Sequence, residues 1–166
     1  MARTPELDGA ELFAPLHRLV IASYGWFATV PPETREAVLK RCRTKNLKAG
    51  ERIYSRGDAA DGLYGVSEGA VRVSGVSDAG DLTVLDFYGP GAWFGDVATL
   101  SVGPRVNGAE AYTDTTLLHL SVSDVETLIA QHPVFARSLI RLLADRLRLR
   151  WSRFSRQGHK VDLPMR

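Results

Sequence analysis

Apolar residues recur every three or four positions at both ends of the chain and alternate in short glycine-cut runs through its middle. At the front, Leu12, Phe13, Leu16, Leu19 and Val20 carry helical spacing, which predicts a helical segment over residues 1–30. Pro31-Pro32-Glu33 interrupts it. Proline suits a first helical turn, and Glu33 and Glu36 suit the positive end of the dipole, so a second helix is predicted from Pro32 to about Arg43, with Ala37, Val38 and Cys42 as its apolar positions. From Leu47 the texture changes to "RIYSRGD", "GLYGVSEGAVRVSGV", "LTVLDFYGPGAWFGD" and "AEAYTDTTLLHL", separated by turn signals. Short, evenly spaced strands of this kind predict a sandwich, barrel or jelly roll. "VRVSGVSDAGDLTVLDF" reads as a hairpin with its tip at Ser77 to Gly80. After Leu120 the helical period returns. Ser121 or Ser123 caps a helix through Val125, Leu128 and Ile129, which His132-Pro133 ends. A longer helix follows over residues 134–156, with Ile140, Leu143, Leu147, Trp151 and Phe154 as its ladder and Leu139, Leu142 and Leu149 widening the stripe. That near-heptad spacing predicts a helix packed both on the β domain and on its twin, hence a homodimer through residues 134–156.

Composition narrows the classes. A chain of 166 residues with 45% apolar and 24% charged residues is long enough for one domain with a core and an appendage. The apolar run over residues 19–30 holds Ser23, Tyr24 and Gly25 and is too short to span a bilayer, and Glu6, Asp8 and Glu11 before it are the wrong flank for a secretory signal. The expectation is a cytoplasmic protein without a membrane anchor. Cys42 is the single cysteine, which excludes an internal disulfide and a cysteine-ligated cluster. His17, His119, His132 and His159 are scattered, with no His-x-His and no carboxylate at ligand spacing, so no metal site is expected. With no Ser-His-Asp, Walker or dinucleotide pattern either, the chain reads as a non-enzyme. The net charge of +2 is uneven: from Arg137 onward nine Lys or Arg face two Asp, a balance of +7 that leaves −5 for the remainder. Such asymmetry fits a nucleic acid, an acidic partner or the solvated face of one long helix.

The candidate chemistry lies in "GPGAWFGDVATLSVGPRVNGAEA", residues 89–111. "FGDVATL" predicts a strand turning into a short helix whose free amides at Val97 and Ala98 point at an anion. Arg105, nine residues after Asp96, can return across that turn and clamp a phosphate with its planar fork. Equally, Asp96 and Arg105 can form a structural ion pair under the roll. Tyr88, Trp93 and Phe94 add aromatic surface or core nearby. Gly57, Gly62, Gly69, Gly80, Gly89 and Gly91 mark corners that need positive φ or close backbone approach.

The order of helices, glycine-punctuated roll and long helix, together with "LKAGERIYSRGDAADGLYGVSEGAVRV", "GPGAWFGDVATL", "GPR" and "DTTLLHL", resembles the cyclic-nucleotide-binding effector domain of the CRP/FNR-type (catabolite activator) transcription regulators. The resemblance implies a mainly β fold with flanking helices: a β-roll of the jelly-roll type, N-terminal helices and a long C-terminal dimerisation helix. It implies a binding cassette of Gly95, Asp96, Val97, Ala98, Arg105, Val106 and Asn107, with Asp96 in the place of the family's ribose-binding glutamate and Arg105 in that of its phosphate-binding arginine. Val106 stands where the family has a hydroxyl residue and Asn107 where it has a small one. A hydroxyl lost from a charged phosphate removes roughly 1.5–3 kcal/mol, about ten- to a hundredfold in affinity. Trp151 stands near the helix position that contacts the base and is placed to stack on it, while Ser152 is one residue off register.

The expected organisation is an N-terminal helical segment (1–30), a cyclic-nucleotide-binding-like roll (31–133), a dimerisation and signalling helix (134–156) and a short basic tail (157–166). The tail "QGHKVDLPMR" is too short for a helix-turn-helix domain, so DNA binding is expected only if such a domain lies elsewhere in the native gene product. The function implied is ligand sensing, with cyclic AMP, cyclic GMP or another phosphorylated small molecule as effector. The alternative is a ligand-independent dimerisation or protein-interaction module with a degenerate pocket.

Overall fold

The computed structural model describes residue 21, residues 25–77 and residues 79–156. Most of the expected N-terminal helix, the basic tail and the packing of Phe154 lie outside the described residues. A 3₁₀ turn, Trp26–Thr29, leads into α1 (Pro32–Arg41). Eight strands follow: β1 (Arg43–Leu47), β2 (Arg52–Tyr54), β3 (Gly62–Glu68), β4 (Val71–Val76), β5 (Leu82–Tyr88), β6 (Trp93–Phe94), β7 (Gly108–Ala111) and β8 (Thr115–Ser121), with the short helix α2 (Asp96–Ser101) between β6 and β7. Helices α3 (Val122–Gln131) and α4 (Pro133–Arg156) close the described chain.

The strands form two four-stranded antiparallel sheets, ordered β1-β8-β3-β6 and β2-β7-β4-β5. This is the β-roll with flanking helices that the family resemblance implies, one of the sandwich, barrel or jelly-roll forms that the glycine-punctuated pattern predicts. Alternation along β8 builds the two cores. Leu118 and Leu120 face the helices, packing with Phe27, Val30, Val38, Leu63, Val125, Leu128 and Phe135, while Leu117 faces the roll interior with Tyr54, Tyr64, Val66, Val71 and Phe94. The hairpin forms as read, its tip closed by Gly80 N–H donating to Ser77 O and by Asp81 N–H donating to Ser77 Oγ. Ser121 is the cap of α3, its Oγ accepting from Asp124 N at 3.1 Å.

Three expectations change. First, α1 stops at Arg41 and a strand begins at Arg43, four residues before the apolar alternation starts. The sequence "RTKNL" carries no strand signal because β1 is a polar edge whose place is set by backbone pairing with β8, from Arg43↔His119 to Leu47↔Thr115. Secondly, Gly89 has neither positive φ nor a close neighbour, so its corner does not demand glycine. Thirdly, the apolar ladder of α4 is split between two faces. Phe135, Leu139 and Leu142 are the buried positions, and Trp26 Nε1 anchors the same face by donating to Ser138 O at 2.6 Å. Ile140, Leu147, Leu149 and Trp151 point outward and are exposed.

Candidate functional site

The strand β6 ends at Phe94, stacked between Tyr64 and Tyr88 in the roll interior. Gly95 then turns the chain through φ 84°, and α2 starts at once with Asp96. A Cβ at Gly95 would meet Arg105 Nη1 at 2.7 Å and Gly62 O at 3.0 Å, so this corner requires glycine on both counts. Beside it lies a cleft with about 330 Å³ of empty space, part of it open to solvent, lined by Gly95, Asp96, Val97, Ala98, Arg105, Val106, Asn107, Arg146 and the aromatic rings of Tyr54, Tyr88 and Phe94. Burial pushes the Tyr54 hydroxyl up to about 12, so it stays a neutral donor at any physiological pH.

Arg105 is clasped from three sides. Its Nη1 donates to Gly95 O at 2.8 Å, and its Nη2 donates to Gly62 O at 2.8 Å and to Asp61 Oδ1 at 2.6 Å. The guanidinium lies 4.2 Å from the Tyr54 ring centre, and its backbone is paired to Gly57 and Asp58 in the loop between β2 and β3. Only 1% of the Arg105 side chain is exposed, against 48% of Asp61. Burial alone would raise the Asp61 pKa, but hydrogen bonds from Tyr64 and Arg105 and the charges of His119 and Arg105 outweigh it and hold the carboxyl below its ordinary value.

Asp96 has a different partner. Arg146, from the inward face of α4, donates through Nη1 to Asp96 Oδ1 and through Nη2 to Trp93 O, with its guanidinium over the Tyr88 ring. An Asp96–Arg105 ion pair is therefore not formed: each residue is buried against another charge, because α2 and the Arg105 loop approach the cleft from directions that leave Gly95 between them. Asp96 Oδ2 and Arg105 Nε are buried and carry no hydrogen bond among the described residues.

The structure thus brings Gly95, Asp96, Val97, Ala98, Arg105, Val106 and Asn107 to one cleft. Trp151 does not line it and is exposed farther along α4. Two charged residues went unread. Asp61 looked like a turn residue only. Arg146 looked like one of nine tail cations, although Phe135, Leu139, Leu142 and Arg146 follow a four-three-four spacing that puts this one arginine on the buried stripe. That spacing was the available signal.

Residues 44–132 match the family described as "Cyclic nucleotide-binding domain". The chain belongs to this family. Within the cyclic nucleotide-binding domain, the α2 turn and the Arg105 loop are the two parts that meet at the cleft. The chain is 35% identical over 122 residues to the "Cyclic AMP receptor protein" of Thermus thermophilus, covering 74% of this chain and 56% of that one. It is 27% identical over 129 residues to a "CRP-like cAMP-activated global transcriptional regulator" of Mycobacterium tuberculosis, covering 78% and 58% respectively. The solved Thermus thermophilus catabolite activator protein superposes with a TM-score of 0.71 at 33% identity, over 78% of this chain and 61% of that one. The chain spans a little over half the length of these curated relatives. Among the described residues of this cyclic nucleotide-binding domain, no helix is long and apolar enough to cross a membrane.

Proposed function

We propose that the chain is the effector-sensing part of a CRP-type transcription regulator, taking a cyclic nucleotide or another small anionic effector into the cleft beside α2 and passing its occupancy to α4. The observation that carries this is Arg146. Among the described residues, one side chain of the long helix reaches into the cleft and grips both Asp96 and Trp93 O, so any occupant that uses Asp96 must share or displace it. Occupancy and helix position are then coupled through a differential contact. Asp96 Oδ2, buried and without a hydrogen bond among the described residues, is an acceptor that a ligand hydroxyl would satisfy. The relatives' names support a cyclic nucleotide as effector and transcription as output. DNA contact enters the proposal only if a helix-turn-helix lies elsewhere in the native product, and the proposal involves no catalysis.

Calorimetric titration with cyclic AMP and cyclic GMP tests it. Micromolar binding is expected, and Val106→Ser should tighten it about ten- to a hundredfold by returning a hydroxyl to the phosphate, the worth of one charge-assisted bond. Val106 is 58% exposed, so this change leaves the fold alone. No heat at millimolar nucleotide for either protein would sink the cyclic nucleotide as effector. It would favour the ligand-independent module instead, which one observation supports: both Nη atoms of Arg105 are already engaged by protein acceptors.

The exposed seam of Ile140, Leu147 and Trp151 on α4, with Leu143 beside it, is proposed as the homodimer contact, in register with a heptad. Light scattering should give a dimer for the native chain and a monomer for Leu147→Asp. A native monomer would overturn this part.

A further inference from the structure

We propose that His119 makes the roll's hold on Arg105 proton-sensitive: a proton on its ring recruits the Asp61 carboxylate, loosens Asp61 from Arg105 and favours an anion in the cleft. The consequence for ligand affinity rests on the effector-cleft reading above; the proton-sensitive network stands apart from it.

The network is built around Asp61, in the loop before β3. Asp61 Oδ1 accepts from Arg105 Nη2 at 2.6 Å, while Oδ2 accepts from Tyr64 Oη. His119, on β8, sits on the other side of the same carboxylate. Its Nε2 lies 3.1 Å from the Asp61 carbonyl oxygen and 3.7 Å from Oδ2, within a small side-chain movement of an ion pair. Its ring is stacked on Tyr64 with centroids 4.7 Å apart, and its side chain is 13% exposed. The charged and titratable groups facing it come from every packed element: Lys45 on β1, over the Tyr64 ring, with Arg43 opposite in register; Tyr64 on β3; Asp61 and Arg105 from the two loops. One half-exposed carboxylate therefore serves a buried arginine, a buried phenol and a histidine.

Burial, and then the charge of Lys45, hold the His119 pKa below its ordinary 6.5 despite the pull of Asp61, so near neutrality the ring is uncharged and Asp61 belongs to Arg105. As pH falls below 6.5 the unfolded chain takes up this proton before the folded one does, so folding stability declines from there down to the folded-state value. Burial works against Asp61's charge, but the hydrogen bonds from Tyr64 and Arg105 hold its carboxyl below the ordinary carboxylate value, so it is still charged where an ordinary Asp begins to take up a proton. In between, His119 bears a charge, the carboxylate is shared between two cations that repel one another, and the surroundings of Arg105 gain one positive charge. By linkage, an anion bound near Arg105 raises the His119 pKa by the same coupling that the proton applies to the anion.

The test is an NMR titration of the whole chain from pH 7.5 to 5 that follows the His119 ring and the Nε–H of Arg105, identified with Arg105→Lys. Both signals are expected to move with one shared midpoint below 6.5, and the Arg105 step should vanish in His119→Gln and in Asp61→Asn. An Arg105 signal that stays still while His119 titrates overturns the proposal, and this is decided on the native chain even where a variant does not fold. A step that persists in His119→Gln overturns it equally. A parallel sulfate titration should show binding tighter at pH 5.5 than at pH 7.5 by roughly tenfold, the factor for one pKa unit of coupling. A coincident step without sulfate binding at either pH supports the switch and counts against the effector cleft instead, so the two failures are distinguishable.

Discussion

Arg146→Met is expected to lower the stability of the chain by about 3–5 kcal/mol, the penalty for leaving one member of a buried ion pair uncompensated. Asp96 is 1% exposed and Arg146 25% exposed, so removing the guanidinium leaves a carboxylate with almost no solvent contact to replace its partner. Its Oδ2 is already without a hydrogen bond, and the substitution strips Oδ1 as well. The same change frees Trp93 O and removes the ion pair from α4 to Asp96, so α4 should loosen beyond Leu142, its last buried apolar position among the described side chains. Urea unfolding followed by near-ultraviolet circular dichroism measures the loss. Asp96→Asn combined with Arg146→Met should recover much of it, because the amide carries no charge to leave unpaired. A cost under about 1 kcal/mol for Arg146→Met would put the pair in the class of surface ion pairs. It would also remove the coupling between cleft and helix on which the sensing proposal rests.

Gly62→Ala should be the more damaging change, above about 4 kcal/mol, a size confined to a few mechanisms of which strain at a special φ is one. The residue has φ 143°, and an added Cβ would stand 2.0 Å from Leu120 O and 2.9 Å from His119 Nε2. Leu120 is part of β8, which pairs with β3 at the centre of the four-stranded sheet, so relief means prising apart the two inner strands. Gly62 O also receives Arg105 Nη2 and lies 2.9 Å from Thr99 Oγ1, so a shift there unseats both walls of the cleft. The expected result is a fall in melting temperature of roughly 8–16 °C, from about 2–4 °C per kcal/mol for a chain of this size, or a chain that does not accumulate folded. Gly89→Ala is the control: nothing lies within 4 Å of its Cβ and its φ is ordinary, so the melting temperature should hardly move. Equal losses at the two sites would show that strain at Gly62 is not the cause.

Much of the architecture was legible in the residues. The roll followed from short alternating runs cut by glycine, α3 from a serine three residues ahead of Asp124, and the helical turn after Phe94 from the Gly95-Asp96 step. The cassette residues 95–98 and 105–107 were legible as a set, and they do line one cleft. What was not legible is how they are connected. One of the two readings of Arg105 pairs it with Asp96, nine residues away; it is held instead by Asp61, 44 positions upstream. Asp96 is held by Arg146, 50 positions downstream.

By itself, then, the sequence determined most of the elements, because periodicity, glycine corners and caps act over a few neighbouring residues, and its resemblance to a known family supplied the list of residues around the cleft. Only the tertiary structure decided which charge answers which, that "RTKNL" is a strand, and which face of α4 is buried. Each of those depends on where a distant strand or helix comes to rest: a polar edge strand borrows its order from β8, and a buried charge takes whichever opposite charge the fold leaves in the same dry space.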